Sequence, residues 1–403
     1  MGGSIYSVIM VRFGEIALKS RKIRLRMEGR LARNIETQLR LKGLRGFRVR
    51  VRWSRLYIEL LGREDLSKYL GVLSKVFGVV SFSPCVKTEL NLRSIREVVT
   101  ELALKTLRPG DTFEVRVNRG NKKFPITSKE LEKILGADVL ATVSGVKVDL
   151  TKPMKGIYVD IREDAAYVFT EEFRGPGGLP YGVEGRVASL VSGGVDSAVA
   201  TWLIMKRGCD VVPIHFNLKP YYGDDARVRA LDVLKWLREW VPKESWVAYE
   251  VPLGEVHGRV SISPRYRCLL CKLLMYRVAE EIARSEGCKA LVTGEALGQV
   301  ATQTLDNLYF LTTKVSIPIL RPLVGMDKEE IIRLAEGLGI KELTTKKVLT
   351  CTLAPSAQGR KAETHASDYV YGVIEDSVRS AGFSDLSDVV NYLVIKSIRF
   401  EVA

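Results

Sequence analysis

The chain opens on alternating apolar and polar positions: residues 4 to 13, Ser-Ile-Tyr-Ser-Val-Ile-Met-Val-Arg-Phe, predict a strand. Arg21 to Leu41 then repeats apolar side chains at helical spacing, with Leu25, Leu31, Ile35 and Leu39 on one side, and predicts a basic amphipathic helix. Gly43 marks its stop. From 47 to 61 basic and apolar residues alternate, so Arg48, Arg50, Arg52 and Arg55 are expected on one strand of a small α+β unit with a strongly positive edge. A second unit follows from about residue 67, with strands near 113 to 118 and 157 to 161 around a helix beginning at Thr127. There Thr127 and Glu130 fit a capping box, each satisfying a backbone N–H that the first helical turn leaves open. Gly136 is expected to end that helix.

Residues 173 to 186, Phe-Arg-Gly-Pro-Gly-Gly-Leu-Pro-Tyr-Gly-Val-Glu-Gly-Arg, form the richest Gly/Pro segment, and a linker is expected over 174 to 186. Beyond it the pattern changes. Uniformly apolar runs at 187 to 191, 210 to 216, 246 to 252 and 289 to 293 alternate with helical stretches at 197 to 208, 226 to 240, 269 to 286 and 327 to 338. Strands without a polar face, separated by helices, predict an α/β domain over 187 to 403 whose parallel sheet is covered on both sides. Such sheets bind ligands at the carboxyl ends of their strands.

Charge sharpens this picture. The 403 residues carry a net +15. Residues 1 to 50 hold thirteen Lys and Arg against three Glu, a net of +10, so most of the surplus lies in the first eighth of the chain. A polyanion, nucleic acid first among them, is the natural partner, although a solvated helix face beside a basic strand gives the same count. No long uncharged apolar run appears, so a chain that does not span a membrane and works in the cytoplasm is expected.

At the end of the first strand of the α/β half stands Leu190-Val191-Ser192-Gly193-Gly194-Val195-Asp196-Ser197. Two glycines let backbone approach an anion closely, and successive N–H groups at a helix N-terminus supply donors and positive dipole. The sequence has no Gly-Lys dipeptide, so the Walker A loop is excluded. Ser-Gly-Gly-x-Asp-Ser resembles instead the loop of PP-loop ATP pyrophosphatases. That resemblance implies cleavage of ATP between the α and β phosphates, with AMP passed to a carbonyl oxygen that otherwise leaves poorly. Asp196 is then expected to orient Mg²⁺ or pyrophosphate.

A later segment, Val292-Thr-Gly-Glu-Ala-Leu-Gly-Gln-Val-Ala-Thr-Gln-Thr-Leu-Asp-Asn-Leu308, resembles a motif of the ThiI family of tRNA 4-thiouridine synthetases. Three further stretches agree with it: residues 12 to 19 (Arg-Phe-Gly-Glu-Ile-Ala-Leu-Lys), 175 to 180 (Gly-Pro-Gly-Gly-Leu-Pro), and 320 to 323 (Leu-Arg-Pro-Leu) ahead of Asp327 and Lys328. The resemblance implies a ferredoxin-like domain over 1 to 66, a THUMP RNA-binding domain over 67 to 173, and a Rossmann-like PP-loop domain thereafter. It implies a tRNA partner held by the first two, a homodimer, and ATP bound through Leu190, Val191, Ser192, Gly193, Gly194, Asp196, Ser197, His215, Phe216, Lys272, Gly294 and Gln303. Lys328 matches a lysine that the family needs for activity. His257 and His365 match nothing of this kind and are expected to be structural or exposed.

Of six cysteines, Cys268 and Cys271 lie one helical turn apart, and Cys351 follows far along the chain. Two thiolates and a distant third can share a metal centre and leave one position open; zinc and a disulfide are the alternatives. In archaeal relatives the corresponding three cysteines carry an iron–sulfur cluster. Cys351 also matches the cysteine that receives persulfide in bacterial members, whose relay uses a rhodanese domain. Fifty-two residues follow Cys351 and none is cysteine, so sulfide or a separate donor protein is the expected sulfur source. Cys85, Cys209 and Cys288 have no partners at ligand spacing and are expected to be buried apolar residues. The rival readings are a different base thiolation or an amidation on the same ATP site, and a tRNA-binding protein without catalysis.

Overall fold

The computed structural model describes residues 5–52, 55–62, 64–346, 348, 351–353 and 368–403. His365 and the flanks of Cys351 at 349–350 and 354–367 lie outside the described residues. The chain divides into two compact units, 1–180 and 181–403.

Unit 1 runs β1 (Val8–Arg12), α1 (Arg21–Leu41), β2 (Phe47–Arg52), β3 (Arg55–Leu60), α2 (Leu66–Leu73), β4 (Ser81–Thr88), α3 (Leu92–Thr106) and β5 (Thr112–Arg119). It continues with α4 (Ser128–Thr142), β6 (Lys147–Val148), β7 (Lys155–Ile161), β8 (Ala166–Phe169) and β9 (Phe173–Arg174). Its strands form one sheet in the order β2-β3-β1-β4-β8-β7-β5-β6, with β9 on β4. β4 pairs with both β1 and β8, so the α+β halves expected on either side of residue 66 share a continuous sheet.

Helix α1 spans the expected residues, but its buried stripe is Met27, Leu31, Ile35 and Leu39; Leu25 is 56% exposed. The stripe keeps three of its four expected residues and differs at its start, because Leu31, Ile35 and Leu39 fix the face and Met27 rather than Leu25 falls on it at i−4 from Leu31. The alternating run expected as one strand is a hairpin, in which Arg52 faces Arg55 across antiparallel strands. Trp53 and Ser54 between them lie outside the described residues. Helix α4 has the expected capping box but continues through Gly136 to Thr142. Leu131, Leu135 and Val139 are all fully buried, and this packing offsets the glycine, whose cost in a helix is only about 1 kcal/mol.

Unit 2 runs β10 (Arg186–Leu190), α5 (Val195–Lys206), β11 (Asp210–Phe216), α6 (Asp224–Arg238), β12 (Val247–Val251), α7 (Gly254–His257) and α8 (Pro264–Ser285). It ends with β13 (Leu291–Val292), α9 (Leu305–Thr313), β14 (Ile319–Leu320), α10 (Lys328–Gly337), α11 (Lys341–Thr344), α12 (Asp368–Ser380), α13 (Leu386–Lys396) and β15 (Ile398–Glu401). The sheet order is β14-β13-β10-β11-β12-β15, parallel except for β15, which closes one edge antiparallel to β12. Alternate residues of β10 and β11 serve opposite faces. Ala188, Val212 and Ile214 join the core beneath α8, α12 and α13, while the Ser189 hydroxyl bonds Thr201 of α5 at 2.7 Å. Helices therefore cover both faces, as uniformly apolar strands require.

Candidate functional site: a phosphate loop beside three thiols

At the carboxyl end of β10 the chain turns at Gly193 and Gly194 into α5. Gly193 has φ +79°, and a Cβ there would stand 2.7 Å from the Ala230 nitrogen of α6, so this turn needs glycine for conformation and for space. The two serines close the loop on itself. The Ser197 hydroxyl accepts from the Ser192 N–H at 3.2 Å and donates to the Gly194 carbonyl at 3.0 Å. Gly294, a hundred residues away, packs on the same turn: a Cβ there would lie 2.6 Å from the Asp196 carbonyl carbon and the Ser197 nitrogen.

Asp196, in the first turn of α5, holds two side chains. Its Oδ1 accepts from Lys328 Nζ at 2.7 Å and its Oδ2 from Gln299 Nε2 at 3.0 Å. Lys328 opens α10, where the helix dipole disfavours a cation; its ion pair with Asp196 supplies the compensation. A carboxylate has about four lone-pair sites. The two left open suit a divalent cation facing phosphates, so the residues fit Mg²⁺.

A cavity of about 290 Å³ opens beside the loop, lined by Leu190, Val191, Ser192, His215 and Phe216, all of them expected at the site. Tyr222, Arg227 and Arg229 line it as well. The volume is near the lower end of small-ligand pockets, which start at roughly 300 Å³, and suits a nucleoside with its phosphates directed to the loop. His215 is 6% exposed and its Nδ1 lies 2.9 Å from the Val191 carbonyl, so Nδ1 carries the hydrogen and Nε2 is left as an acceptor. Burial pushes its pKa down, against the pull of that carbonyl, and the ring stays neutral. Arg227 is fixed by Glu250, with Nε at 2.8 Å from Oε1; burial raises the Glu250 pKa, but Arg227 and Asn217 outweigh it and hold the carboxylate ionised.

The remaining expected ATP residues lie around the loop but do not line this cavity. Gly294 supports the Asp196 turn. The backbone carbonyl of Gln303 accepts from the Gly298 N–H at 2.9 Å, and its side-chain oxygen, like that of Gln299, is shielded from solvent with no donor among the described residues. Lys272 ends on Glu295, Nζ to Oε1 at 2.7 Å.

Glu295 is 5% exposed and accepts from three more groups: the Tyr276 hydroxyl, the Thr293 hydroxyl at 3.0 Å and Arg321 Nε at 3.0 Å. Burial raises its pKa, yet Lys272, Tyr276 and Arg321 outweigh that and keep it ionised. Sequence reasoning assigned no role to Glu295, Gln299, Tyr222, Arg227 or Arg229. For Glu295 and Gln299 a signal existed, since both stand in the 292–308 stretch that carries the resemblance; Tyr222, Arg227 and Arg229 become visible only when distant loops converge.

Cys268 and Cys271 sit on consecutive turns of α8, and Cys351 lies beside them; all three are half-buried free thiols. Burial raises the pKa of Cys268 and Cys271, and neighbouring thiols raise them further, while Lys272 pulls both down. The residue after Cys351 is tied down, because the Thr352 N–H donates to the Tyr221 carbonyl at 3.0 Å. Tyr222, next in the chain, feels both Cys351 and Cys271 after the larger effect of its own burial. It also lines the cavity, as does Met275, one helical turn after Cys271 on α8. Soft thiolates suit iron–sulfur ligation. Among the described residues, however, no three His, Cys, Asp or Glu stand at metal-holding spacing; the thiols are neighbours rather than a preformed ligand triangle.

Cys85, Cys209 and Cys288 are buried, as expected. His257 is 8% exposed, its Nε2 has no partner among the described residues, and burial lowers its pKa to about 4.

On unit 1, β2 is the terminal strand and Arg48 and Arg52 are exposed on it. Arg50 pairs with Glu59 at 2.9 Å and Arg52 with Asp164 at 3.2 Å. Arg55, on the neighbouring strand, is half-buried beside Arg162 and Asp160. No helix of the described residues is long and apolar enough to cross a membrane.

Residues 182–370 match the family model described as Thiamine biosynthesis protein (ThiI), residues 8–83 the ThiI ferredoxin-like domain, and residues 89–171 the THUMP domain. A probable tRNA sulfurtransferase of Methanosarcina mazei is 37% identical over 363 residues, 88% of either chain. One of Methanothermobacter thermautotrophicus is 38% identical over 359 residues, 87% of this chain and 89% of that one. A 4-thiouridine synthetase solved with RNA and bound ATP superposes with a TM-score of 0.85 at 28% identity, covering 99% of this chain and all of that one. The structure of PH1313 from Pyrococcus horikoshii Ot3 covers 83% of this chain and 99% of its own, with a TM-score of 0.66 at 25% identity. Similarity at this level along nearly the whole chain means that it belongs to the ThiI family.

Proposed function

We propose that this chain is an ATP-dependent tRNA sulfurtransferase that converts uridine 8 of tRNA to 4-thiouridine. The observation that carries the reading is that Met275, one helical turn after Cys271 on α8, lines the cavity together with Ser192 of the phosphate loop. One site can then activate a base and deliver sulfur to it.

In the first step the uridine O4 attacks the α-phosphorus of ATP, the bond to the β-phosphate breaks, and pyrophosphate leaves. The N–H groups of the Gly193 and Gly194 turn, Lys328 and the Asp196 carboxylate face the departing phosphates. When bound there, Mg²⁺ supplies charge neutralisation between Asp196 and the pyrophosphate. Neutral His215 offers Nε2 as an acceptor toward the base, and Lys272, Gly294 and Gln303 complete the nucleotide contacts. In the second step sulfur adds at C4 of the uridine, the C4–O bond breaks, and AMP leaves with the former carbonyl oxygen.

Cys351, with Cys268 and Cys271 as its companions, is the proposed sulfur-handling residue: from a donor protein's persulfide its thiolate takes the outer sulfur as the donor's thiolate leaves, and after that sulfur has added to C4 a companion thiol frees the thiolated base by closing a disulfide with Cys351, whereas free sulfide attacks C4 itself and needs no carrier. If an iron–sulfur cluster is bound, these three cysteines hold it, and it supplies an open iron position for sulfide. The sulfur comes from sulfide or a separate donor protein. The basic edge strand bearing Arg48, Arg50 and Arg52, with Arg55 on the strand beside it, within residues 1–173, is the proposed tRNA-holding part of a cytoplasmic homodimer.

The test is product formation. Wild-type protein with ATP, Mg²⁺, sulfide and unmodified tRNA should yield 4-thiouridine and AMP in equal amounts, and a tRNA with cytidine at position 8 should yield neither. AMP formed without thiolated base, or thiolation without ATP, contradicts the reading.

A further inference from the structure

Cys268, Lys272 and Tyr276 follow one another at i, i+4 and i+8 along α8, so they share a face of that helix. The Lys272 ammonium and the Tyr276 hydroxyl both end on Glu295, which stands on the loop after β13. On the same loop Gly294 touches the backbone of Asp196. Glu295 thus ties the thiol-bearing face of α8 to the loop that supports the phosphate site. Its second oxygen also holds Arg321, which is itself fixed on Thr312 at 2.9 Å, so neither cation is free to swing.

The charges in this cluster do not cancel. Two cations, Lys272 with its side chain 21% exposed and Arg321 at 14%, meet one carboxylate at 7%. A clamp that served packing alone would be better served by a one-to-one pair, because each buried charge must be compensated. A fixed surplus of one positive charge beside Cys268 is instead suited to an anion that arrives during the reaction.

We propose that Glu295 is a positioning residue of the thiolation reaction: it fixes the Lys272 ammonium beside the Cys268 face of α8, where its charge, surplus to that of Glu295 and Arg321, meets the phosphate group of the reacting nucleotide. This rests on the function proposed above. Glu295 touches neither nucleotide nor sulfur and acts through Lys272.

The experiment is a double-mutant cycle read as kcat/KM for ATP in AMP formation with tRNA present, for wild type, K272M, E295Q and E295Q/K272M, each checked for folding by its melting curve. With Lys272 present, E295Q should lower kcat/KM by about tenfold, and in the K272M background by less than about twofold, since the residue it positions is gone. A residue that only stabilises the fold would lower activity in both backgrounds in step with melting temperature. If E295Q alone fails to fold, E295Q/R321Q takes its place, because that pair leaves the net charge of the cluster unchanged while removing the clamp; the same loss is expected. Wild-type kcat/KM in the folded variant, or an equal loss with and without Lys272, overturns the inference. A wild-type protein that forms no AMP sinks the functional reading, a result distinct from an active wild type that tolerates the loss of Glu295.

Discussion

Asp196 concentrates the chemistry of unit 2 in one side chain, since it joins the phosphate loop, Lys328 and Gln299 through two oxygens. Asp196→Ala removes the partner of Lys328 and the only carboxylate of the Ser192–Ser197 loop. It should lower AMP formation by about a hundredfold or more, measured with radiolabelled ATP, while tRNA affinity stays within about twofold. Normal AMP formation in this variant would remove Asp196 from the mechanism.

His257 gives a second residue-scale prediction. Its pKa falls from near 6.5 in the unfolded chain to about 4 in the fold, so the folded state binds fewer protons between these values and stability is lost as pH drops from about 6.5 to 4. That shift amounts to about 3 kcal/mol at most, by 1.36 kcal/mol per unit. His257→Phe should flatten this part of the stability profile in urea titrations; an unchanged slope would show that another group causes it.

At the scale of elements, glycines decide how the site closes. Gly294→Ala puts a methyl group 2.6 Å from the Asp196 carbonyl carbon, against backbone that cannot yield cheaply. The expected cost is roughly 1–3 kcal/mol of stability together with a raised KM for ATP, read by thermal melting and steady-state kinetics. Wild-type values for both would mean that the β13 loop and α5 do not pack as described.

Elements were legible where one periodicity governs a long run. The central strands of unit 2 announce themselves because both faces are buried, and α1 because its length and spacing are helical. The errors have local causes. The hairpin from Phe47 to Leu60 reads as one strand because alternation continues across its turn, and α4 reads as short because a glycine counts for more in propensity than in a packed interior. β15 gave no signal: its four residues are mostly exposed, and its register is set by β12.

For the whole molecule, charge distribution and site architecture belong to different units. Net charge and its bias toward residues 1–50 were plain in the sequence, but which arginines remain available was not. Arg50 is half-buried on Glu59, whereas Arg48 and Arg52 are exposed, Arg52 even with its ion pair to Asp164. The Arg48→Ala, Arg52→Ala double variant should therefore weaken tRNA binding and reduce the slope of log affinity against log salt by about one for each phosphate that is no longer neutralised. An unchanged slope would move the RNA interface off this edge.

The phosphate loop was readable from Ser192 to Ser197 because its backbone chemistry is contiguous. The partners of Asp196 and the Glu295 cluster were not, since each joins residues brought together only by the fold.

The proposed chemistry stands or falls on whether the uridine oxygen leaves with AMP. Unmodified tRNA carrying ¹⁸O at O4 of uridine 8, incubated with the protein, ATP and sulfide, should give 4-thiouridine together with AMP that carries the label, detected by mass spectrometry. Label-free AMP alongside thiolated tRNA would mean that ATP is cleaved without activating the base, and would contradict this mechanism.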